Sequence, residues 1–486
     1  MAAHVSPASL TAKPIAFGTD GWRGVIAADF TFERVMQVAP LAAFALAQTY
    51  SDNPSRTIVV GYDRRFLSEE FAQVAAEAVS QAGFEVLLSE SYAPTPAFSW
   101  AAKQQNALGA LVITASHNPG MYSGLKVKGG FGGSVPPEVT QKIEAMLATG
   151  QQIQGEPAAI HTFDPWQSYC DVLRTKVDVS VIQAAIASGK LTVFADVMHG
   201  AAASGLSRLL GEGVHELSSN RDPLFEGGAP EPLPRYLGTL LQTIKADYQQ
   251  SPEALRVGLV FDGDSDRIAA VDGQGNFLSS QVLIPILIQH LSVHRGYTGE
   301  VIKTISGSNL IPKVAELYGL PLYQTPIGYK YIADRMLEAQ VLLGGEESGG
   351  IGYGHHIPER DALLSALYVL EAIVKSGQDL SALYADLQQK TGYASTYDRI
   401  DLPLASMEVR SRLLHQLQTQ PPTEIAGQPV TECLSIDGYK FQLADQSWLL
   451  IRFSGTEPVL RLYSEALTDE RVQQNLAWAK DWASSI

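Results

Sequence analysis

Short apolar runs that stop abruptly at small, polar or acidic residues most constrain how this chain can fold. Residues 57–61, 85–88, 110–114, 191–195 and 257–261 are such runs. They are too short for helices, rich in branched aliphatics, and read as buried strands. Helical patterns fall between them, at 30–50, 68–82, 164–175 and 236–248. The helix at 68–82 has Ser68 as a plausible cap, with Glu69 and Glu70 in its first turn. Alternating strand and helix predicts parallel α/β layers, in which ligands gather beyond the carboxyl ends of strands. The residues that end each run are therefore the first places to look for chemistry.

The run at 110–114 ends in Ala115-Ser116-His117-Asn118-Pro119-Gly120, followed by Tyr122, Gly124 and Lys126. Ser116 sits just past a rigid strand, on a loop that can meet a ligand. Taken alone, an ordinary strand–turn accounts for it equally well. A serine hydrolase fits poorly, because no G-x-S-x-G elbow surrounds Ser116.

The run at 257–261 ends in Asp262-Gly263-Asp264-Ser265-Asp266-Arg267. At alternate positions of an extended chain, three carboxylates point to one side. They repel unless a cation joins them, and an all-oxygen ligand set selects Mg²⁺ or Ca²⁺. An EF-hand loop fails, since its turn glycine would be Arg267 and its closing glutamate Gly273. A solvated acidic turn is the plain alternative.

Four more loops carry polar chemistry. Phe17 to Gly24 holds Arg23 among three glycines, and Gly328-Tyr329-Lys330 precedes a helix. Glu346 and Ser348 place a carboxylate and a hydroxyl two residues apart in a glycine-rich turn, with His355, His356 and Arg360 following as added cationic groups. Arg452, Ser454, Gly455 and Thr456 sit at the turn between strands 448–453 and 459–463, where side-chain and backbone donors can cradle an anion. No nucleotide-binding glycine pattern is present in the 341–361 stretch. Each loop read by itself is also an ordinary turn.

At 486 residues the chain exceeds one core and predicts about three or four domains. A net charge of −16, from 35 basic and 51 acidic residues, argues against a nucleic-acid or anionic-membrane binder. A small anionic ligand would need a local basic cleft in this acidic body. Cys170 and Cys433 form neither a disulfide framework nor a zinc site. No run is long enough to span a membrane, and residues 1–14 read as a short loose tail, so a cytoplasmic enzyme is expected.

Thr114 to Pro119, with Tyr122, Gly124 and Lys126, resembles the active-serine loop of the α-D-phosphohexomutases, the family of phosphoglucomutase and phosphomannomutase. The acidic loop is similar to that family's metal loop, although Ser265 stands where Gly or a small residue is usual. The Glu346–Ser348 turn resembles its sugar-specificity loop, and the turn at 454–458 the one that holds the substrate's non-reacting phosphate.

The resemblance implies an α/β class: three similar α/β domains with mixed sheets (1–155, 156–276, 277–390) and a C-terminal α+β domain (391–486) around a central cleft. It implies a phosphoryl group on Ser116, with Arg23 and Arg267 as donors to it. Lys126 is the first candidate to shuttle a proton and His117 the second. One Mg²⁺ per chain would be held by Asp262, Asp264, Asp266 and phosphorylated Ser116. Glu346, Ser348, Lys330, His355 and Arg360 would meet the sugar, and Arg452, Ser454, Gly455 and Thr456 its phosphate. The implied reaction interconverts hexose 1-phosphate and hexose 6-phosphate through a hexose 1,6-bisphosphate, which also serves as activator. Hexose phosphates are the partners, and the protein is a monomer or dimer. The Glu346-Glu347-Ser348-Gly349 form resembles that of phosphoglucomutases more than that of phosphoglucosamine mutases, so glucose is the expected sugar, mannose is left open, and phosphoglucosamine mutase is the alternative. A metal-dependent sugar phosphatase and a non-catalytic sugar-phosphate binder are the rivals from other classes.

Overall fold

The computed structural model describes residues 13–18, 20–454 and 458–485. The apolar runs form the strands Thr57–Tyr62, Glu85–Ser89, Gly109–Ile113, Leu191–Asp196 and Leu255–Phe261. The helical patterns form Phe32–Thr49, Ser68–Gln81, Pro165–Lys176 and Gly238–Gln250. Ser68 does not cap its helix. Leu67 precedes the helix in the left-handed region with no side-chain cap, and the buried Ser68 hydroxyl donates to Asp63 Oδ1 at 2.8 Å instead.

Four sheets organise the chain. In the first, Thr57–Tyr62 is flanked in parallel by Glu85–Ser89 and Gly109–Ile113, as alternation predicts. The next strand, Tyr122–Gly129, returns antiparallel to Gly109–Ile113, so the sheet is mixed. The connection at 114–121 is too short for a parallel crossover, which needs a dozen residues or more. Ser116 thus sits in a hairpin loop, and the return strand brings Lys126 opposite Val112. Ile160–Phe163, past the boundary expected at 155, adds a parallel strand to this sheet beside Glu85–Ser89.

The same device recurs twice. Leu255–Phe261 pairs in parallel with Leu191–Asp196, then turns through 262–267 and returns antiparallel as Ile268–Val271. Val341–Gly345 lies parallel to Glu300–Thr304, then turns through 346–350 and returns as Ile351–Tyr353. The serine, aspartate and glutamate loops are therefore equivalent hairpin loops of three α/β units. The last two are joined by backbone: Arg267 bridges Gly350, and Ile268 N donates to the Gly349 carbonyl at 3.0 Å. The fourth sheet is antiparallel throughout, with Thr396–Pro403, Val459–Ala466, Trp448–Phe453, Tyr439–Leu443, Gln428–Leu434 and Glu424–Ile425 in that order.

One continuous apolar core runs through the first three units, from Phe98 through Trp166 and Leu259 to Leu283 and Leu364. The last unit keeps its own core around Leu449, Leu462 and Leu476. Among the described residues a small apolar cluster, Ile305 with Trp448, Leu450 and Tyr463, crosses that junction, together with hydrogen bonds from the Ser308 hydroxyl and the Asn309 amide to Glu465.

Candidate active site

Ser116 is 1% exposed and adopts φ 52°, the left-handed region. Its amide donates to Thr114 Oγ1 at 2.9 Å. Its hydroxyl donates to Asp262 Oδ2 at 2.9 Å and lies 3.3 Å from His117 Nδ1. The aspartate loop presses so close that a Cβ on Gly263 would stand 2.4 Å from the Ser116 carbonyl oxygen. Glycine at 263 is what lets the two loops meet.

Asp262, Asp264 and Asp266 are fully buried, and one oxygen from each lies within 4.8 Å of the others. Extended alternation is not the cause. The backbone turns between them, with Ser265 at φ 58°, and this turn folds the carboxylates together. Asp262 Oδ1 accepts the amides of Asp266 (3.0 Å) and Arg267 (3.1 Å). Asp264 Oδ1 and Asp266 Oδ1 are buried without a hydrogen-bond partner. Burial, reinforced by the charges of Asp266 and Asp264, pushes the Asp262 carboxyl well above its usual range. Three clustered carboxylates, two of them with an oxygen that has no hydrogen-bond partner, fit a hard divalent cation.

Lys126 Nζ stands 2.7 Å from Asp20 Oδ2 and 2.8 Å from both Asp264 Oδ2 and Asp266 Oδ2. Burial opposes its charge, but these carboxylates prevail and hold its pKa above the ordinary lysine value. In this arrangement Lys126 keeps its proton and acts as a donor. Burial first, then Arg267 and Arg23, hold the His117 imidazole neutral and able to accept a proton. Of the two proton shuttles expected from sequence, Lys126 lies among the carboxylates and His117 Nδ1 lies beside the Ser116 hydroxyl. Arg23 Nη1 donates to Asn118 Oδ1 at 2.5 Å, and Arg267 Nε is 4.0 Å from Asp266 Oδ1. Cations and carboxylates thus alternate around Ser116.

On the third unit, Glu346 Oε1 accepts the Gly328 amide at 3.1 Å, and burial pushes its carboxyl up to about 7 although Arg360 opposes the shift. Arg360 belongs to the acidic cluster, with Nη2 2.6 Å from both Asp20 Oδ2 and Asp266 Oδ2, and Nη1 3.9 Å from Glu346 Oε2. Ser348 lines a cavity of about 320 Å³ with Ile268, Phe277, Glu347 and Arg399. Lys330 lies over the Tyr331 ring and lines a separate cavity of about 300 Å³ beside Asp20 and Glu144.

His355 does not supply the cation expected of it. Its Nε2 is 2.6 Å from Tyr368 Oη, its ring packs on Tyr297, and burial pushes its pKa down to about 3. The helix Ala362–Ser376, which carries Tyr368, draws it into an aromatic cluster. His356 stacks on Trp100 at 5.7 Å. In the fourth unit, Arg452 Nε donates to both oxygens of Asp437 at 3.0 and 3.1 Å, and the Ser454 carbonyl accepts from Arg410 Nε at 2.7 Å. Gly455 and Thr456 lie outside the described residues.

Sequence reasoning passed over Asp20, which pairs with Lys126, Lys128 and Arg360, and Arg65, whose guanidinium meets the carbonyls of the serine loop. The available signal for Arg65 was its place at the carboxyl end of the strand Thr57–Tyr62. Asp20 was flagged only by its glycine-rich surroundings.

Comparison with known proteins places this geometry. Patterns for Phosphoglucomutase/phosphomannomutase alpha/beta/alpha domains I, II and III match residues 14–154, 167–275 and 279–391, and that for the C-terminal domain matches 414–477. A phosphoglucomutase/phosphomannomutase of Thermococcus kodakarensis is 28% identical, covering 95% of this chain and 96% of its own. A phosphoglucosamine mutase of Limosilactobacillus fermentum is also 28% identical, covering 97% and 98%. A Thermus thermophilus crystal structure, provisionally described as a phosphomannomutase, is 30% identical, covers 98% of this chain and all of its own, and superposes with a TM-score of 0.83.

Proposed function

The chain belongs to the phosphoglucomutase/phosphomannomutase family, and on that premise we propose that it interconverts glucose 1-phosphate and glucose 6-phosphate by way of phosphorylated Ser116. The observation that carries the reading is the Ser116 hydroxyl 2.9 Å from a buried triad of aspartates, under a neutral histidine and two arginines. Phosphoryl transfer needs in-line placement and charge stabilisation more than covalent help. Asp262, Asp264 and Asp266 would hold one Mg²⁺, which when bound neutralises charge on the transferring group.

The protein's own groups do the rest. Arg23 and Arg267 donate to the phosphoryl oxygens. Glu346 and Ser348 receive the sugar hydroxyls, and the Arg452 turn holds the phosphate that does not react. With a 6-phosphate held there, O1 of the sugar bonds to phosphorus as the Ser116 Oγ–P bond breaks. The proton leaves the sugar hydroxyl and ends on Ser116 Oγ, with His117 as its relay. The resulting 1,6-bisphosphate turns end for end and returns its other phosphoryl group to Ser116.

Glucosamine phosphate is the second reading, because relatives of similar identity are phosphoglucosamine mutases. Glucose is preferred because the Glu346-Glu347-Ser348-Gly349 turn resembles that of phosphoglucomutases more than that of phosphoglucosamine mutases. A coupled assay with the 1-phosphates of glucose, mannose and glucosamine, Mg²⁺ and a trace of the matching bisphosphate tests this. The 6-phosphate should accumulate fastest from glucose 1-phosphate, with little inorganic phosphate released. Release of phosphate in place of isomer would make the protein a phosphatase.

A further inference from the structure

Arg65 is fully buried at the end of the first unit's central strand, and its terminal amino groups face a single loop. Nη2 donates to the carbonyls of Ser116 at 2.5 Å and Asn118 at 2.6 Å. Nη1 donates to those of Pro119 and Tyr122, both at 3.0 Å. Nε pairs with Asp63 Oδ2 at 3.3 Å. The guanidinium lies 4.9 Å from the centre of the Phe225 ring, and Arg221 of the same second-unit loop donates to the Arg65 carbonyl at 3.0 Å.

Without this side chain the carbonyls of Ser116, Asn118 and Tyr122 would lose a charged donor, and that of Pro119 would keep only the Tyr122 amide at 3.0 Å. Ser116 also adopts a left-handed backbone region that is unfavourable for a non-glycine residue and persists only where the surroundings impose it. That backbone conformation aims Oγ at Asp262. A planar fork can span four acceptors where an ammonium, a compact point charge, cannot.

We propose that Arg65 is a positioning residue for phosphoryl transfer: it fixes Ser116 so that the phosphoryl group passes to the sugar and not to water. The inference rests on the proposed function. In transfer, a sugar oxygen bonds to phosphorus while the Ser116 Oγ–P bond breaks and the hydroxyl proton ends on Oγ. In hydrolysis a water oxygen takes the sugar's place, its proton ends on Oγ, and inorganic phosphate leaves. The sugar is held at several points and must meet phosphorus in line. Water is free to realign, so loosening Ser116 penalises transfer more than hydrolysis.

Arg65→Lys tests the clamp. The turnover rate should fall about 100-fold, the loss expected of a misplacement near 1 Å. The KM for glucose 1-phosphate should stay within about twofold, inorganic phosphate released per isomerisation should rise at least about tenfold, and amides 116–122 should exchange hydrogen faster. An unchanged ratio of phosphate to isomer overturns the proposal, whether or not the overall rate drops, because a merely structural role lowers both products alike. Should Arg65→Lys fail to fold, Asp63→Asn is read by the same ratio, since it removes the anion that holds Nε. If the wild-type protein isomerises no hexose phosphate, the proposed function fails. Hydrogen exchange at 116–122 then decides the clamp, and rates unchanged in the variant reject it.

Discussion

Lys126 shows how a single side chain sets the terms of its site. Its ammonium sits among Asp20, Asp264 and Asp266, where a divalent cation bound by the triad would crowd it. Lys126→Gln should therefore bind Mn²⁺ or Mg²⁺ at least about tenfold more tightly in calorimetry without substrate, since removing a like charge a few ångströms away is worth more than about 1 kcal/mol. Unchanged affinity would show that lysine and cation do not compete. Glu346 gives a prediction in pH. Its carboxyl is raised from 4.5 to about 7, so the folded state holds a proton that the unfolded state has released. Stability is lost as pH rises from about 4.5 to 7 and stays lost above. Glu346→Gln should raise unfolding free energy by about 3 kcal/mol at about pH 8 and by nothing at about pH 4. Denaturant titrations at both pH values check this. Ser116, His117 and the three aspartates were visible in the sequence because they cluster within a few positions. Arg65 was not, because its partners are backbone carbonyls, and every residue type carries one.

The three hairpin loops are the elements that matter. The strands leading into the first two were legible as apolar runs, but alternation suggested parallel layers, and the antiparallel returns follow from connection lengths that alternation does not weigh. Convergence of the aspartates was expected for the wrong reason: a turn at Ser265, not an extended chain, gathers them. Ser265 carries a Cβ in a left-handed position, and its buried Oγ has no hydrogen-bond partner. Ser265→Gly should raise unfolding free energy by about 1 kcal/mol with turnover retained. Gly263→Ala should do the reverse, because its Cβ would collide with the Ser116 carbonyl. A turnover loss of about 100-fold with the fold intact by circular dichroism is the expected result. Wild-type activity in Gly263→Ala would mean that the serine and aspartate loops need not touch.

At the scale of the whole molecule, one apolar core runs through three units, the first unit keeps a second around Phe30, Ile58 and Leu111, and the fourth has its own. Scanning calorimetry should resolve a separate transition for the fourth unit, and a single transition would show stronger coupling than the contacts around Ile305, Trp448 and Glu465 provide. The expected boundary at 390–391 sets the last unit apart but does not reveal this asymmetry, since shared burial between units depends on which helix faces meet. The backbone join between Arg267 and Gly350 carries one last implication. The turn proposed to read the hexose and the turn that gathers the aspartates are stitched into one piece, so neither can be exchanged as a module. Grafting a relative's sugar-reading turn onto this scaffold would bring an altered appetite for magnesium with it, and selectivity and ion demand would diverge together among descendants.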